Sequence, residues 1–163
     1  PGYQWVEEGS MYLPSDILMA LLGPQLDEMD SIIGKRIFVF KAYERLLEKY
    51  EGCSFIKEHS QSPVDGRRFN AHLFFIVFES RQARRFFQHE MERASIQAFT
   101  HYWPLHSSSM GIAMGYKEED LPRTSKKAAG LVRLPLYENL RMEELEYVIS
   151  NVDRILNEMA RGE

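Results

Sequence analysis

Cysteine is nearly missing from this chain: Cys53 stands alone, so no disulfide can form within it. That usage suits a reducing compartment, and the cytoplasm is the expected location. No unbroken apolar run approaches the length that spans a bilayer, so a soluble protein with no membrane partner is expected. The start at Pro1 has none of the charged-then-apolar layout of a secretory signal, and the absence of an initiating Met suggests either processing or a piece of something longer. Positive charge is not in excess: 20 Lys and Arg stand against 24 Asp and Glu, a formal net charge of -4. Phosphate backbones are held mainly by clustered Lys and Arg, so this balance argues against a general nucleic-acid binder. The local basic group Arg81, Arg84, Arg85 and Arg93 reads as one solvated helix face. Internal repeats and low-complexity tracts are also absent.

What is present is a chain of 163 residues, 44% hydrophobic, which is long enough to bury a real core. Residues 1 to 13 read as an extended lead-in. Ser15-Asp16 then supplies a capping oxygen and a negative charge for a helix whose apolar face is Ile17, Leu18, Leu21 and Leu22. Gly23-Pro24 should break or kink it, since proline removes a backbone hydrogen bond and clashes with the preceding turn. From Gln25 to Tyr50, Leu26, Met29, Ile33, Ile37, Phe40, Tyr43 and Leu47 recur at spacings of three or four, which predicts a long amphipathic helix. Glu51 to Arg68 reads as a polar connection with a tight turn at Asp65-Gly66. The unbroken run Leu73-Phe-Phe-Ile-Val-Phe78 predicts a central strand buried on both faces. Ser80 caps a helix to about Ala94 with Phe86, Phe87 and Met91 facing in.

A second strand, Ala98 to Trp103, is expected to stop at Pro104, which has no N–H to extend a ladder. Pro104 to Pro122 reads as a long ordered loop. A short helix capped by Thr124 or Ser125 should end near Gly130, followed by a third strand, Val132 to Leu136, placed at a sheet edge by Pro135. Met142 to about Met159 closes the chain as an amphipathic helix with Glu143 and Glu144 in its first turn. The expected class is α+β: long helices plus a small, mostly antiparallel sheet covered by helices.

The strand end at Phe99 to Gly111 draws together His101, Tyr102, His106 and Ser107 to Ser109, a dense set of donors and acceptors. Such a loop either carries binding groups on a rigid scaffold or uses its serines to satisfy its own backbone. His106 is expected at the mouth of a cleft rather than in the core.

The segment His-Tyr-Trp-Pro-Leu-His-Ser-Ser at 101 to 108 resembles the His-Tyr-x-Pro-Leu-His stretch of the DegT-type nucleotide-sugar aminotransferases, fold-type I enzymes dependent on pyridoxal 5'-phosphate (PLP). Three further segments are similar in the same order: Tyr3-x-Trp5 with Gly9 to Leu18, Asn70 to Phe74, and Leu134 to Leu140. Within the family the likeness is greatest to the 4-amino-4,6-dideoxygalactose transaminases of bacterial surface-polysaccharide synthesis. The resemblance implies that residues 1–50 are a helical connection from a large domain and 51–163 the C-terminal small domain. It implies a homodimeric parent that moves an amino group from an amino-acid donor to a 4-keto-6-deoxy nucleotide sugar. It further implies cofactor contacts from Ser10 and Tyr12 and substrate contacts from His101, Tyr102, His106 and Ser107. The lysine that carries the cofactor in that family belongs to the large domain. None of Lys35, Lys41, Lys49, Lys57, Lys117, Lys126 and Lys127 matches its motif, so no catalytic residue is assigned and the chain alone is expected to be inactive.

The same residues bear on other functional classes. A metal site on His101 and His106 needs further ligands, and His59, His72 and His89 fall in other elements without a metal-binding spacing. A nucleic-acid module with Phe74 and Phe75 as stacking residues lacks both the basic balance and the signature such modules carry. A binding or oligomerisation domain without activity of its own stays open as the alternative.

Overall fold

A computed structural model describes residues 12–65, 67–101 and 103–162. The elements are α1 (Asp16–Asp27), α2 (Met29–Leu47), β1 (Ile56–His59), β2 (Phe74–Phe78), α3 (Arg81–Arg93), α4 (Ser109–Ala113), α5 (Pro122–Gly130), β3 (Leu131–Leu134) and α6 (Met142–Arg161). The sheet runs β1-β2-β3 with both pairings antiparallel, so the expected α+β class holds.

The apolar run at 74–78 forms the central strand because it can bury both faces. Phe74, Ile76 and Phe78 point to one side. There the Phe74 ring lies 4.9 Å from Phe40 and 5.3 Å from Tyr43 on α2, and the Phe78 ring lies 5.0 Å from Phe87 on α3. Edge-on and tilted contacts of this kind add to the burial of the rings themselves. Leu145, Val148, Val152, Ile155 and Leu156 of α6 complete the core at the spacing of one helical face. Two tyrosines tie the layers together. Tyr43 donates to the Pro135 carbonyl at 2.7 Å, and Tyr50 donates to Asp153, its hydroxyl 2.9 Å from both the backbone carbonyl and Oδ1. Burial, and then the neighbouring Tyr137, push the Tyr43 hydroxyl well above its ordinary pKa.

Several expectations need correction. The helix break comes at Glu28 rather than at Gly23-Pro24: α1 runs through Pro24 to Asp27, and α2 begins at Met29 rather than Gln25. Proline forfeits one helical bond, but on a fully exposed helix its ring meets no packed neighbour, and the Glu28 N–H still bonds the Pro24 carbonyl at 3.1 Å. The polar connection contains strand β1, whose Ile-Lys-Glu-His sequence carries no alternation because a register irregularity falls between Ile56 and Glu58. Among the described residues of 98–103 no strand forms: the segment has a single bridge to the sheet, Phe99 to Arg133, and the side chains of Phe99 and Trp103 are exposed. Without a buried face the apolar residues give the segment no reason to extend the ladder. The loop after Pro104 winds into α4 and two one-turn 3-10 segments, Leu105–Ser107 and Glu118–Asp120.

The caps of α1 and α3 agree with expectation: the Ser15 and Ser80 hydroxyls accept from the N–H groups of Leu18 and Ala83 at 3.3 and 3.1 Å. Helix α5 starts earlier than its expected Thr124 or Ser125 cap. Pro122 occupies the first helical position, where its fixed φ is already helical and its missing N–H costs nothing. Strand β3 does lie at an edge of the sheet, ending one residue before Pro135. Among the described residues no helix is long and apolar enough to cross a membrane.

Candidate functional site

Three arginines at positions 81, 84 and 85 share one face of the first turns of α3, because residues three and four apart are neighbours on a helix. Facing them are Ser125, Ala128 and Ala129, which repeat the same spacing on α5. The two alanines keep that wall low. Thr100, His101, Trp103, Pro104 and Ser107 close the third side, and the result is a cavity of about 240 Å³. The basic face lines this cavity while staying largely solvated as expected: Arg81, Arg85 and Arg93 are exposed, Arg84 is half-buried, and Arg93 donates to Glu90 at 3.0 Å.

Among the described residues no carboxylate forms an ion pair with Arg81, Arg84 or Arg85. Arg84 is half-buried, and its Nε is shielded from solvent without a hydrogen-bond partner. Burial, followed by the like charges of Arg81 and Arg85, holds its pKa below the usual guanidinium range. Arginine loses its proton far above neutral pH, so the wall keeps its positive charges and their mutual repulsion.

His106 lies behind the α5 side of the cavity, against Ser125, rather than at its mouth. It is 6% exposed, and its Nε2 sits 3.0 Å from Ser125 Oγ, which in turn donates to the Glu118 carbonyl at 3.0 Å. A hydroxyl has one proton to give, so the imidazole must be the donor at Nε2, which fixes its tautomer. The reason for its burial is the 3-10 turn at Leu105–Ser107, which swings residue 106 inward, and the close packing of Gly111 over that turn. A Cβ on Gly111 would come within 2.1 Å of the Leu105 carbonyl oxygen. His106→Ala is therefore expected to lower stability by about 1–3 kcal/mol, the cost of leaving a half-buried hydroxyl network incomplete. Thermal denaturation reads this directly, and an unchanged melting temperature would mean that the His106–Ser125 contact does not hold the loop.

Of the other residues singled out in the sequence, His101 and Ser107 line the cavity. Tyr12 is 89% exposed and does not reach it, while Ser10 and Tyr102 lie outside the described residues. The serines largely serve their own turn. Ser107 Oγ donates to the Pro104 carbonyl at 3.3 Å, and Ser108 Oγ donates to that of Leu105 at 2.7 Å while accepting from Gly111 N–H at 3.1 Å. Trp103 is 70% exposed at the rim, oriented by an Nε1–H bond of 2.8 Å to the Ser107 carbonyl. Among the described residues no group of three or more His, Cys, Asp or Glu is placed to hold a metal ion.

The family model for the DegT/DnrJ/EryC1/StrS aminotransferases matches residues 4–153. A pleiotropic regulatory protein of Geobacillus stearothermophilus is 28% identical over 133 residues, 82% of this chain and 34% of the relative. Among solved structures, DesV of S. venezuelae is 26% identical with a TM-score of 0.69, over 83% of this chain and 34% of that one. The PLP form of Spr1654 from Streptococcus pneumoniae, described as a sugar aminotransferase, overlays with a TM-score of 0.77 at 23% identity, over 88% of this chain and 36% of that one. At that identity the Spr1654 overlay speaks for the fold. The chain spans about a third of the length of these relatives.

Proposed function

Because the chain belongs to the DegT/DnrJ/EryC1/StrS aminotransferase family, we propose that it is the C-terminal part of a sugar aminotransferase, contributing the small domain and a helical connection over residues 1–50. The observation that carries this reading is the family match over 4–153 together with coverage of only about a third of each relative. The proposed reaction moves an amino group from an amino-acid donor to a 4-keto-6-deoxy nucleotide sugar, and the proposed setting is cytoplasmic synthesis of a surface polysaccharide. The dideoxygalactose transaminases are the proposed subgroup, on the strength of the four sequence segments given above.

PLP, when bound in the whole enzyme, supplies the electron sink for amino transfer. The described residues do not by themselves make its site. Lys49, Lys57, Lys126 and Lys127 are paired with surface carboxylates, and none of the seven lysines lines the arginine cavity. No catalytic residue is proposed in this chain. Ser10 and Tyr12 are proposed to approach the cofactor across a subunit boundary, and Tyr12, fully open on this chain, is free to make such a contact. His101, Tyr102 and Ser107 are proposed to face the substrate, with His106 acting as a positioning residue through Ser125.

The test separates the chain from its parent. With added PLP and borohydride, the isolated chain is expected to show only scattered lysine labelling by mass spectrometry, while the full-length protein labels one upstream lysine and transfers nitrogen to a nucleotide sugar. A single stoichiometric label within this chain would overturn the division of labour.

A second reading, an assembly domain without chemistry of its own, is favoured by α1. That helix buries none of its residues and exposes Ile17, Leu18, Leu21, Leu22 and Leu26. A symmetric dimer is the proposed arrangement in either case, since monomers rarely leave such a surface uncovered. Sedimentation of the isolated chain is expected to show self-association; a monomer at high concentration would count against both versions.

A further inference from the structure

A cleft between the end of α3 and the start of α6 shares no residue with the arginine cavity and carries the opposite charge. Its volume, about 560 Å³, lies within the roughly 300–1,000 Å³ typical of small-molecule sites. Ser95, in the left-handed region at φ 56°, turns the chain out of α3. The Ile96 N–H then bonds the Met91 carbonyl at 2.9 Å, and the buried Ile96 joins Pro135, Leu140 and Val148 in an apolar floor. Two aromatic side chains stand on it, Tyr137 and Tyr147, 44% and 53% exposed. Tyr147 is oriented from across the cleft, where its hydroxyl donates to the Ala94 carbonyl at 3.2 Å.

Charge narrows the ligand. Helix α3 ends and α6 begins at this cleft, so their opposed dipole ends largely offset and the side chains set the sign. The charged residues of the lining are Glu143 and Glu144, without a Lys, Arg or His. Glu144 is taken up by its capping box: its carboxylate accepts from the Arg141 N–H at 3.0 Å and from the Arg141 guanidinium at 2.8 Å. Glu143 forms no ion pair among the described residues, although its charge reaches Arg141. The cleft therefore keeps one negative charge beside two aromatic rings. A ring face attracts a cation through its quadrupole, and a carboxylate adds to that attraction. Neither substrate of the proposed transfer suits such a place: an anionic nucleotide sugar is repelled, and the carboxylate of an amino-acid donor finds no cationic partner in the lining.

We propose that this cleft binds a small organic ammonium ion, its hydrocarbon body on Ile96, Leu140 and Val148 and its charged nitrogen between Glu143 and the rings of Tyr137 and Tyr147. The site lies beyond the transfer reaction: binding is read without turnover, so its failure would leave the family reading untouched.

The experiment is calorimetric titration of the 163-residue chain with 2-phenylethylammonium and, separately, with 2-phenylethanol, which replaces the charged nitrogen by a neutral hydroxyl. Saturable binding of the ammonium is expected, about tenfold tighter than the alcohol, from one exposed ion pair and one cation–π contact together. Glu143→Gln should weaken the ammonium about threefold and leave the alcohol unchanged. Tyr147→Ala should weaken both ligands, while Tyr147→Phe, which keeps the ring and loses the bond to Ala94, should restore most of the ammonium's affinity. Glu143 and Tyr137 are exposed, so Glu143→Gln and Tyr137→Ala keep the test decisive even if Tyr147→Ala folds poorly. Glu48→Gln removes an exposed carboxylate outside the cleft and is the control. Absence of binding at millimolar ligand, equal affinity for the alcohol, or equal weakening by Glu48→Gln overturns the proposal. So does binding of penta-lysine alone, which would assign the cleft to a basic protein partner. Loss of self-association in Tyr147→Ala without amine binding to the unsubstituted chain would assign it to a second copy, and overturns the proposal as well.

Discussion

Phe74→Ala is expected to cost about 3–5 kcal/mol, enough to bring a domain of ordinary stability close to unfolding at physiological temperature. Phe74 is fully buried at the start of the central strand. Its ring is met edge-on by Phe40, tilted by Tyr43, and stacked at 6.3 Å by His59, so residues from α2 and β1 converge on one side chain. Truncation removes that transfer free energy and leaves a void bounded by elements that cannot close on it independently, since β2 is paired on both edges. Chemical denaturation of the variant should show a lower midpoint with a similar slope. A loss below about 1 kcal/mol would show that the surrounding rings collapse into the gap.

Gly130→Ala should be nearly as damaging, for the opposite reason. Gly130 is the last residue of α5 and leads directly into β3. A Cβ there would stand 2.2 Å from the Phe78 carbonyl oxygen and 3.2 Å from its carbon. Both contacts are to the backbone of the central strand, which cannot rotate away as a side chain would. Overpacking of this kind costs about 1–3 kcal/mol, with the upper end expected because β2 is held from both sides. Gly34→Ala in α2 makes the matched control: nothing lies within 4 Å of its added Cβ, and the better helix former should stabilise by about 0.5–1 kcal/mol. Opposite signs in equilibrium unfolding are the expected pattern, and destabilisation by both substitutions to the same extent would refute the steric account.

How far the sequence revealed this arrangement depends on the range over which each element is determined. Helices α3 and α6 were legible because their burial is written into their own periodicity, and strand β2 because its apolar run is unbroken and so buries both faces. Strand β1 was not, because it is recruited by the free edge of β2 through backbone bonds that carry no side-chain pattern. The aromatic run at 98–103 misled for the reverse reason. It has the composition of a strand, but among the described residues it meets the sheet only at Arg133, whose N–H lies 2.7 Å from the Phe99 carbonyl and whose Nη2 donates to the Thr100 carbonyl at 3.3 Å. Around the cavity, His101 and Ser107 had been singled out from the loop, whereas the arginines were read only as a solvated face, which left their place beside that loop unseen. One signal was available in the sequence. None of Arg81, Arg84 and Arg85 has an Asp or Glu three or four residues away along the helix, so none is offered a partner on its own surface. That α5 would present Ala128 and Ala129 opposite them is a tertiary fact with no local trace. The burial of His106 likewise follows from a one-turn segment too short to leave a periodic signal.

The exposed helix α1 has a thermodynamic meaning beyond its surface. An isolated helix of 12 residues is marginal in water, and this one contains a proline and buries no side chain against the body of the domain. Its coil-to-helix equilibrium and the covering of its apolar residues are therefore linked. Whatever packs against α1 also shifts that equilibrium towards the helix, and the apparent affinity falls in proportion to the fraction of chains in which the helix has not formed. Substitutions on the solvent side of α1 that change only helix propensity would then act as affinity mutations without touching the interface.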